Sequence, residues 1–437
     1  MRTRDEINNS EWFGELPDSW RSIPLPRLFS TSKGMTVTKA DLIEIGAPVV
    51  NYAQVHSKMN NSFGLSNELI KYVSEEKVPS GLLKSKHGSF IFACTSEDLA
   101  GCGDCIYNDS NMDVNPGGDT VLLTPKERIE NKYLAYLFST DLWRWQIRRD
   151  LVDVKVFHVN QVNLHETYVI QPPVDIQQKI TSFLDQRCSA IDEDVAKRQK
   201  VIEKLKEYKK ALISSVVTKG LNPNTQMKES GVEWIDKIPS NWTIHYPKAL
   251  FGLRNECMRE NDVQLTASQE YGMIPQSEFQ EREGRRVVQV ILNREILKHV
   301  EPGDFVMHMR SFQGGLEFSK QRGCVSSAYV MLTARSEKVR TDYFRYLFKS
   351  STYIDALRST SNLVRDGQAL RYANFIKVYL PLPPVEEQDA IAAYLDQSIV
   401  AIDEAISRQK QLIERLGEYR KSLILHAVTG QIDCSEE

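Results

Sequence analysis

Apolar residues recur along this chain with two different periods, and the change of period divides it. After residues 172 and 383 they step by about four and three: Leu184, Cys188, Ile191, Val195, Ile202, Leu205, Leu212 and Val216, then Leu395, Ile399, Ile402, Ile406, Ile413, Leu416, Leu423 and Ala427. That spacing lays one apolar seam along a helix and is the heptad signature of a coiled coil. The seam turns polar at matching places, Arg198 and Lys209 in the first copy and Gln409 and Arg420 in the second. Polar seam positions fix register and partner choice at some cost in stability. Pro172-Pro173 and Pro383-Pro384 start the two helices, since proline is tolerated in a first turn and not beyond it. A helix from about Val174 to Thr218 would span roughly 60 Å, too long to stand without a partner. An ordinary bundle would cover it, but the economical partner is the other copy. Antiparallel pairing of two equivalent faces would give the chain an approximate two-fold axis.

The segments between, about 20 to 170 and 243 to 382, read as mixed α and β. Pro302-Gly303-Asp304 predicts a turn before a strand at Phe305-Val306-Met307, and Cys324 to Ala334 reads as another strand-like run. His87 to Phe92 is the corresponding turn and strand in the first half, and aromatic helices are predicted over Asn131 to Phe138 and Thr341 to Phe348. Each segment is expected to be a compact α+β domain.

The chain repeats itself. Pro172-Pro173-Val174 matches Pro383-Pro384-Val385, and the offset of 211 holds without a gap through Ala190-Ile-Asp-Glu193 against Ala401-Ile-Asp-Glu404 to Thr218 against Thr429. Glu11-Trp12, Leu16-Pro17 and Trp20 stand against Glu233-Trp234, Ile238-Pro239 and Trp242 at an offset of 222. Tyr133 to Phe138 faces Tyr343 to Phe348 at an offset of 210. Between these anchors the halves diverge, as duplicated modules do when they read different ligands.

At 437 residues the chain suggests two to four folding units of ~100–200 residues each. Hydrophobic residues at 41% and charged residues at 26% fit a soluble globular protein, and no apolar run approaches a membrane span. The start, Met1-Arg-Thr-Arg-Asp-Glu, lacks the apolar core of a signal peptide, so a cytoplasmic protein is expected. Seven scattered cysteines read as reduced thiols. Cys102-Gly-Asp-Cys105 has the spacing of half a zinc site but lacks a second half, so a turn is the expectation and no metal. A formal charge of -3 means that a nucleic-acid role would need a local basic surface or a partner.

The sequence has no GxxxxGK[ST] loop, no GxGxxG turn and no Asn-Pro-Pro-aromatic pattern of an amino-group methyltransferase. Carboxylates and lysines form no recognisable acid-base spacing, so no catalytic residue is expected. What remains is polar and flanked by glycine, in comparable places of two modules. Arg310-Ser311-Phe312-Gln313-Gly314-Gly315 is the sharpest segment: Arg pairs with guanine, Gln with adenine, and the glycines admit backbone to a phosphate. The bland alternative is an exposed hairpin loop. Asn362, Arg365, Gln368 and Arg371 follow in the same module, and the first module offers Thr95, Ser96, Arg148, Arg149, Lys155, His158 and Asn160-Gln161. These are the candidate DNA contacts.

Over essentially its whole length the chain resembles the specificity subunits of Type I restriction-modification systems. The match is carried by Gly231-Val-Glu-Trp234 through Ile238-Pro239-Ser-Asn-Trp242, by Pro383-Pro384-Val-Glu-Glu-Gln388, and by Leu416-Gly-Glu-Tyr419 through Ala427-Val-Thr-Gly430. The first-half copies are looser, with Asp175-Ile176-Gln177 in place of Glu386-Glu387-Gln388 and Lys219-Gly220 in place of the direct Thr-Gly. The resemblance implies target-recognition domains at 1–171 and 221–382, alternating with conserved helices at 172–220 and 383–437. It implies an α+β fold with an antiparallel coiled coil and a pseudo-two-fold, and a split DNA target held at fixed spacing. It further implies two modification subunits bringing S-adenosylmethionine for adenine methylation, and restriction subunits bringing ATP and Mg, with no cofactor on this chain. A coiled-coil scaffold binding protein or glycan is the rival reading, and a fused enzyme fragment a weaker one.

Overall fold

A computed structural model describes residues 12–14, 16–126, 131–149, 151, 156–284, 294–308, 311–360 and 371–434. Two compact units divide the chain: Met1–Lys197 with Gln411–Glu437, and Arg198–Lys410. Both cuts fall inside the long helices, so each unit is one module plus a part of each helix.

In the first unit an antiparallel sheet orders its strands Phe29–Lys33, Thr120–Pro125, Phe90–Ala93 and Cys105–Tyr107. Strand side chains alternate between faces, and here both faces are covered. Phe90, Phe92, Val121 and Leu123 join the aromatic core under the helices Lys132–Phe138 and Asp141–Arg148, whereas Ile91, Ala93, Leu122 and Ile106 face a smaller cluster with Val50, Val55 and Leu69. Phe138 and Trp143 sit 4.3 Å apart by ring centroids, and the Thr140 hydroxyl accepts from the Trp143 N–H to start the second helix.

The second unit repeats this order with Phe251–Arg254, Val330–Ala334, Phe305–Met307 and Glu317–Phe318. Phe251 packs on Phe305, Phe344 and Phe348, and the Ser350 hydroxyl accepts from the Tyr353 N–H as Thr140 does from Trp143. The run Cys324 to Ala334 is two strands, which corrects the expectation of one. Gly323–Val325 pairs with Lys298–Val300, and Val330–Ala334 enters the main sheet. Ser326 separates them: its carbonyl accepts from Tyr329 N–H and its hydroxyl from Ala328 N–H, a turn that the apolar pattern hides.

The long helices span Val174–Lys219 and Val385–Val428. At their starts Gln177 and Gln388 each donate a side-chain amide to the carbonyl of the first proline of the pair, Pro172 or Pro383. Left-handed glycines follow their ends, Gly220 at φ 76° and Gly430 at φ 72°. A Cβ on Gly430 would stand 2.9 Å from Pro17 and 3.0 Å from Trp20, so the Leu-Pro and Trp motif is a lid on a helix end. Trp242 and Pro239 take the same place beside Gly220.

Within each unit the helix segments run antiparallel. In the first, Ile180 and Leu184 share a core with Ala427 and Val428 while Asp192 pairs with Arg420. In the second, Arg198 bonds Gln409 and Lys209 bonds Asp403. The polar seam residues therefore meet polar partners.

Candidate nucleic-acid interface

In both modules the segment joining the third and fourth strands of the main sheet order carries candidate residues. In the first it is the stretch between Ala93 and Cys105, where Thr95–Ser96 pairs antiparallel with Phe157–His158 and places Thr95 opposite His158. Thr95, His158, Asn160 and Gln161 line one cleft of about 460 Å³ together with Lys33, which the sequence reading did not single out. Lys33 ends a strand and nothing in its local sequence marks it. The Asn160 side chain accepts from Val162 and Asn163 N–H, which caps the helix Gln161–His165 and fixes its own position. Ser96 is buried and donates to the Asp98 carbonyl.

Arg148 is buried in the module. Its guanidinium donates to the carbonyls of Cys102 and Ala100 and to Asp141, so it holds the 94–104 segment from behind. Arg149 lies over the Trp12 ring at 5.1 Å. Lys155 falls outside the described residues. Cys102 and Cys105 are buried, and burial pushes both thiols up, Cys105 to about 12; zinc binds thiolate, which these surroundings disfavour.

A relay that sequence reasoning missed reaches Thr95 itself. Arg144 Nη1 lies 2.7 Å from Asp104 Oδ1, His56 Nδ1 lies 3.0 Å from Asp104 Oδ2, and His56 Nε2 lies 2.7 Å from the Thr95 carbonyl. No spacing in the sequence joins residues 56, 95, 104 and 144.

In the second module Arg310 lies outside the described residues, as do Asn362, Arg365 and Gln368. Ser311–Gly314 is a helical turn and not the hairpin loop of the bland alternative. The Ser311 hydroxyl accepts from the His308 N–H, and Phe312 is buried, so the turn is pinned at its start. Gly315, at φ 77°, ends it where a Cβ would stand 2.0 Å from the Phe348 carbonyl. Gln313 is exposed on this turn, and Arg371 is exposed at the start of Tyr372–Phe375. Behind the turn Lys349 Nζ pairs at 2.6 Å with the fully buried Glu317, as Arg148 backs its own loop in the first module.

Residues 17–204 match the family model of the Type I restriction modification DNA specificity domain. The putative type I restriction enzyme MjaX specificity subunit of Methanocaldococcus jannaschii is 23% identical over 96% of this chain and 95% of its own length. The EcoKI specificity subunit of Escherichia coli is 18% identical over 96% of this chain and 90% of its own. Among solved structures, a chain from work on assembly and conformational transition of the type I R-M system aligns at a TM-score of 0.69 with 16% identity, covering 96% of this chain and all 100% of that one. The HsdS subunit from Thermoanaerobacter tengcongensis aligns at 0.54 with 16% identity, covering 97% of this chain and 100% of that one. Both likenesses extend to the fold. Duplicated modules and paired helix segments accompany these matches: residues 17–204 match the DNA specificity domain, and over nearly its whole length the chain is similar to type I restriction enzyme specificity subunits.

Proposed function

We propose that this chain reads a bipartite DNA sequence, one half with each module, and carries no catalysis of its own. The observation that carries the reading is the duplicated frame: Tyr133 donates to the Val428 carbonyl in one unit and Tyr343 to the Val217 carbonyl in the other. The same scaffold holds two segments of different sequence, as two readers of different half-sites require. In this reading the long helices act as a spacer between half-sites. Candidate contacts are Thr95, His158, Asn160, Gln313 and Arg371, suited to base edges or phosphates. Partner subunits supply the chemistry in this reading: two modification subunits with S-adenosylmethionine, and restriction subunits with ATP and Mg, on cytoplasmic DNA.

Mapping methylated adenines in DNA from cells carrying the chain and its modification partner tests this. The expected pattern is one split motif with an unspecified spacer. A scaffold that binds protein or glycan gives no motif, and its partner affinity lacks the steep salt dependence of counterion release.

A further inference from the structure

We propose that His56 is a positioning residue for base reading by the first module, tying the backbone of Thr95 to the helical layer through Asp104 and Arg144. This rests on the DNA-reading function proposed above. Arg144 is itself fixed, since its Nε donates to the Phe138 carbonyl at 2.9 Å. Its Nη1 holds one oxygen of Asp104, the other oxygen faces His56 Nδ1, and His56 Nε2 meets the Thr95 carbonyl. The imidazole fits because residue 101 is glycine: a Cβ there would stand 2.5 Å from Ser96 Oγ and 3.2 Å from the His56 ring.

Both partners of the imidazole are acceptors, a carboxylate and a carbonyl. Only a ring carrying both protons satisfies both, so the complete relay contains the imidazolium. The hydrogen bond to Asp104 raises the His56 pKa above its ordinary value, in agreement with that geometry. Asp104, Asp98, Glu97 and Asp119 bring negative charge to the same cleft, Tyr52 contributes its ring, and Arg144 is the opposing cation on Asp104. Thr95 lines both this cleft and the one shared with His158 and Asn160, so its backbone position sets the candidate reading strand. Both bonds of the ring are present below the raised pKa of His56, and as pH rises through it the imidazole keeps one proton and the relay loses one of the two.

The test uses the full chain in complex with modification subunits, binding duplexes altered at single base pairs in either half-site. Salt is held constant and pH runs from about 6 to about 8.5. The half read by the first module is identified by exchanging that module. Wild type is expected to lose discrimination in that half as pH rises. His56→Gln, whose single amide nitrogen can replace only one of the two ring nitrogens, is expected to lose about tenfold in discrimination there. It should leave the other half unchanged and flatten the pH profile. Asp104→Asn should do the same if His56→Gln assembles poorly, and thermal unfolding of each complex checks the fold. Unchanged discrimination in the first module's half, equal loss in both halves, or a pH profile like wild type overturns the positioning role alone. A wild-type complex with no sequence preference in either half overturns the DNA reading and this inference together.

Discussion

Lys209 places its Nζ 2.7 Å from both carboxylate oxygens of Asp403, and the residues displaced from these by 211, Arg420 forward and Asp192 back, meet at 2.5 Å. The two cations are equivalent seam positions and so are the two carboxylates, each pair lying within its own unit. Lys209 and Asp403 are 29% and 53% exposed, so solvent screens them and their worth is at most about 1 kcal/mol. Their effect is on register. Lys209→Glu is expected to lower the unfolding midpoint slightly, and Asp403→Lys in the same chain to restore it. A double variant as weak as the sum of the singles would remove the pairing.

Tyr133 and Tyr343 perform one task twice. The last carbonyls of a helix lack intrahelical donors, and each tyrosine hydroxyl satisfies one, on Val428 and on Val217. Tyr133→Phe and Tyr343→Phe are each expected to cost about 1–2 kcal/mol in denaturant unfolding, since the carbonyl stays buried without its donor. Because the sites lie in different units, the costs should add to within about 0.5 kcal/mol. A cost at one site only would show that the repeat is not energetic.

The helices were legible because heptads and proline pairs act locally: the expected end at Thr218 lies one residue short of the observed Lys219. The α+β modules were legible from turn and aromatic patterns. The candidate site was legible only in part. Arg148 looks like any basic surface residue until the carbonyls of Ala100 and Cys102 fold back onto it. His56 and Glu317 gain their meaning from contacts 39 and 32 residues away in the chain. No local period records such contacts.

In the second module His299 is buried between Asp262, 2.7 Å from Nδ1, and Glu301, 2.8 Å from Nε2. The bond from His299 holds the Glu301 carboxyl below its ordinary value. Burial alone would push Asp262 up, but bonds from the Arg259 N–H, His299 and Arg322 outweigh it and bring it down. Depressed carboxyls contribute stability above the ordinary carboxylate range and lose it as pH falls through their folded values. Thermal unfolding is therefore expected to weaken below about pH 4. His299→Gln should bring both carboxyls back toward their ordinary values and so shrink the acid-dependent loss of stability; an acid limb identical to wild type would exclude the cluster.

The matched seams also predict a ruler. Seven residues added to both helices restore the heptad and lengthen each by about 10 Å, close to three base pairs of B-DNA at ~3.4 Å each. The methylated motif should keep both halves and gain a longer spacer, while the same insertion in one helix should cost assembly. An assembled, methylating complex with the original spacer would refute it.

Exchange of residues 243–382 for the equivalent module of a relative tests the central claim most directly, read by the methylated adenines in cellular DNA. If each module reads one half-site, one half of the motif changes and the other half and the spacer stay as they were. A motif altered in both halves, or in neither, would contradict the account.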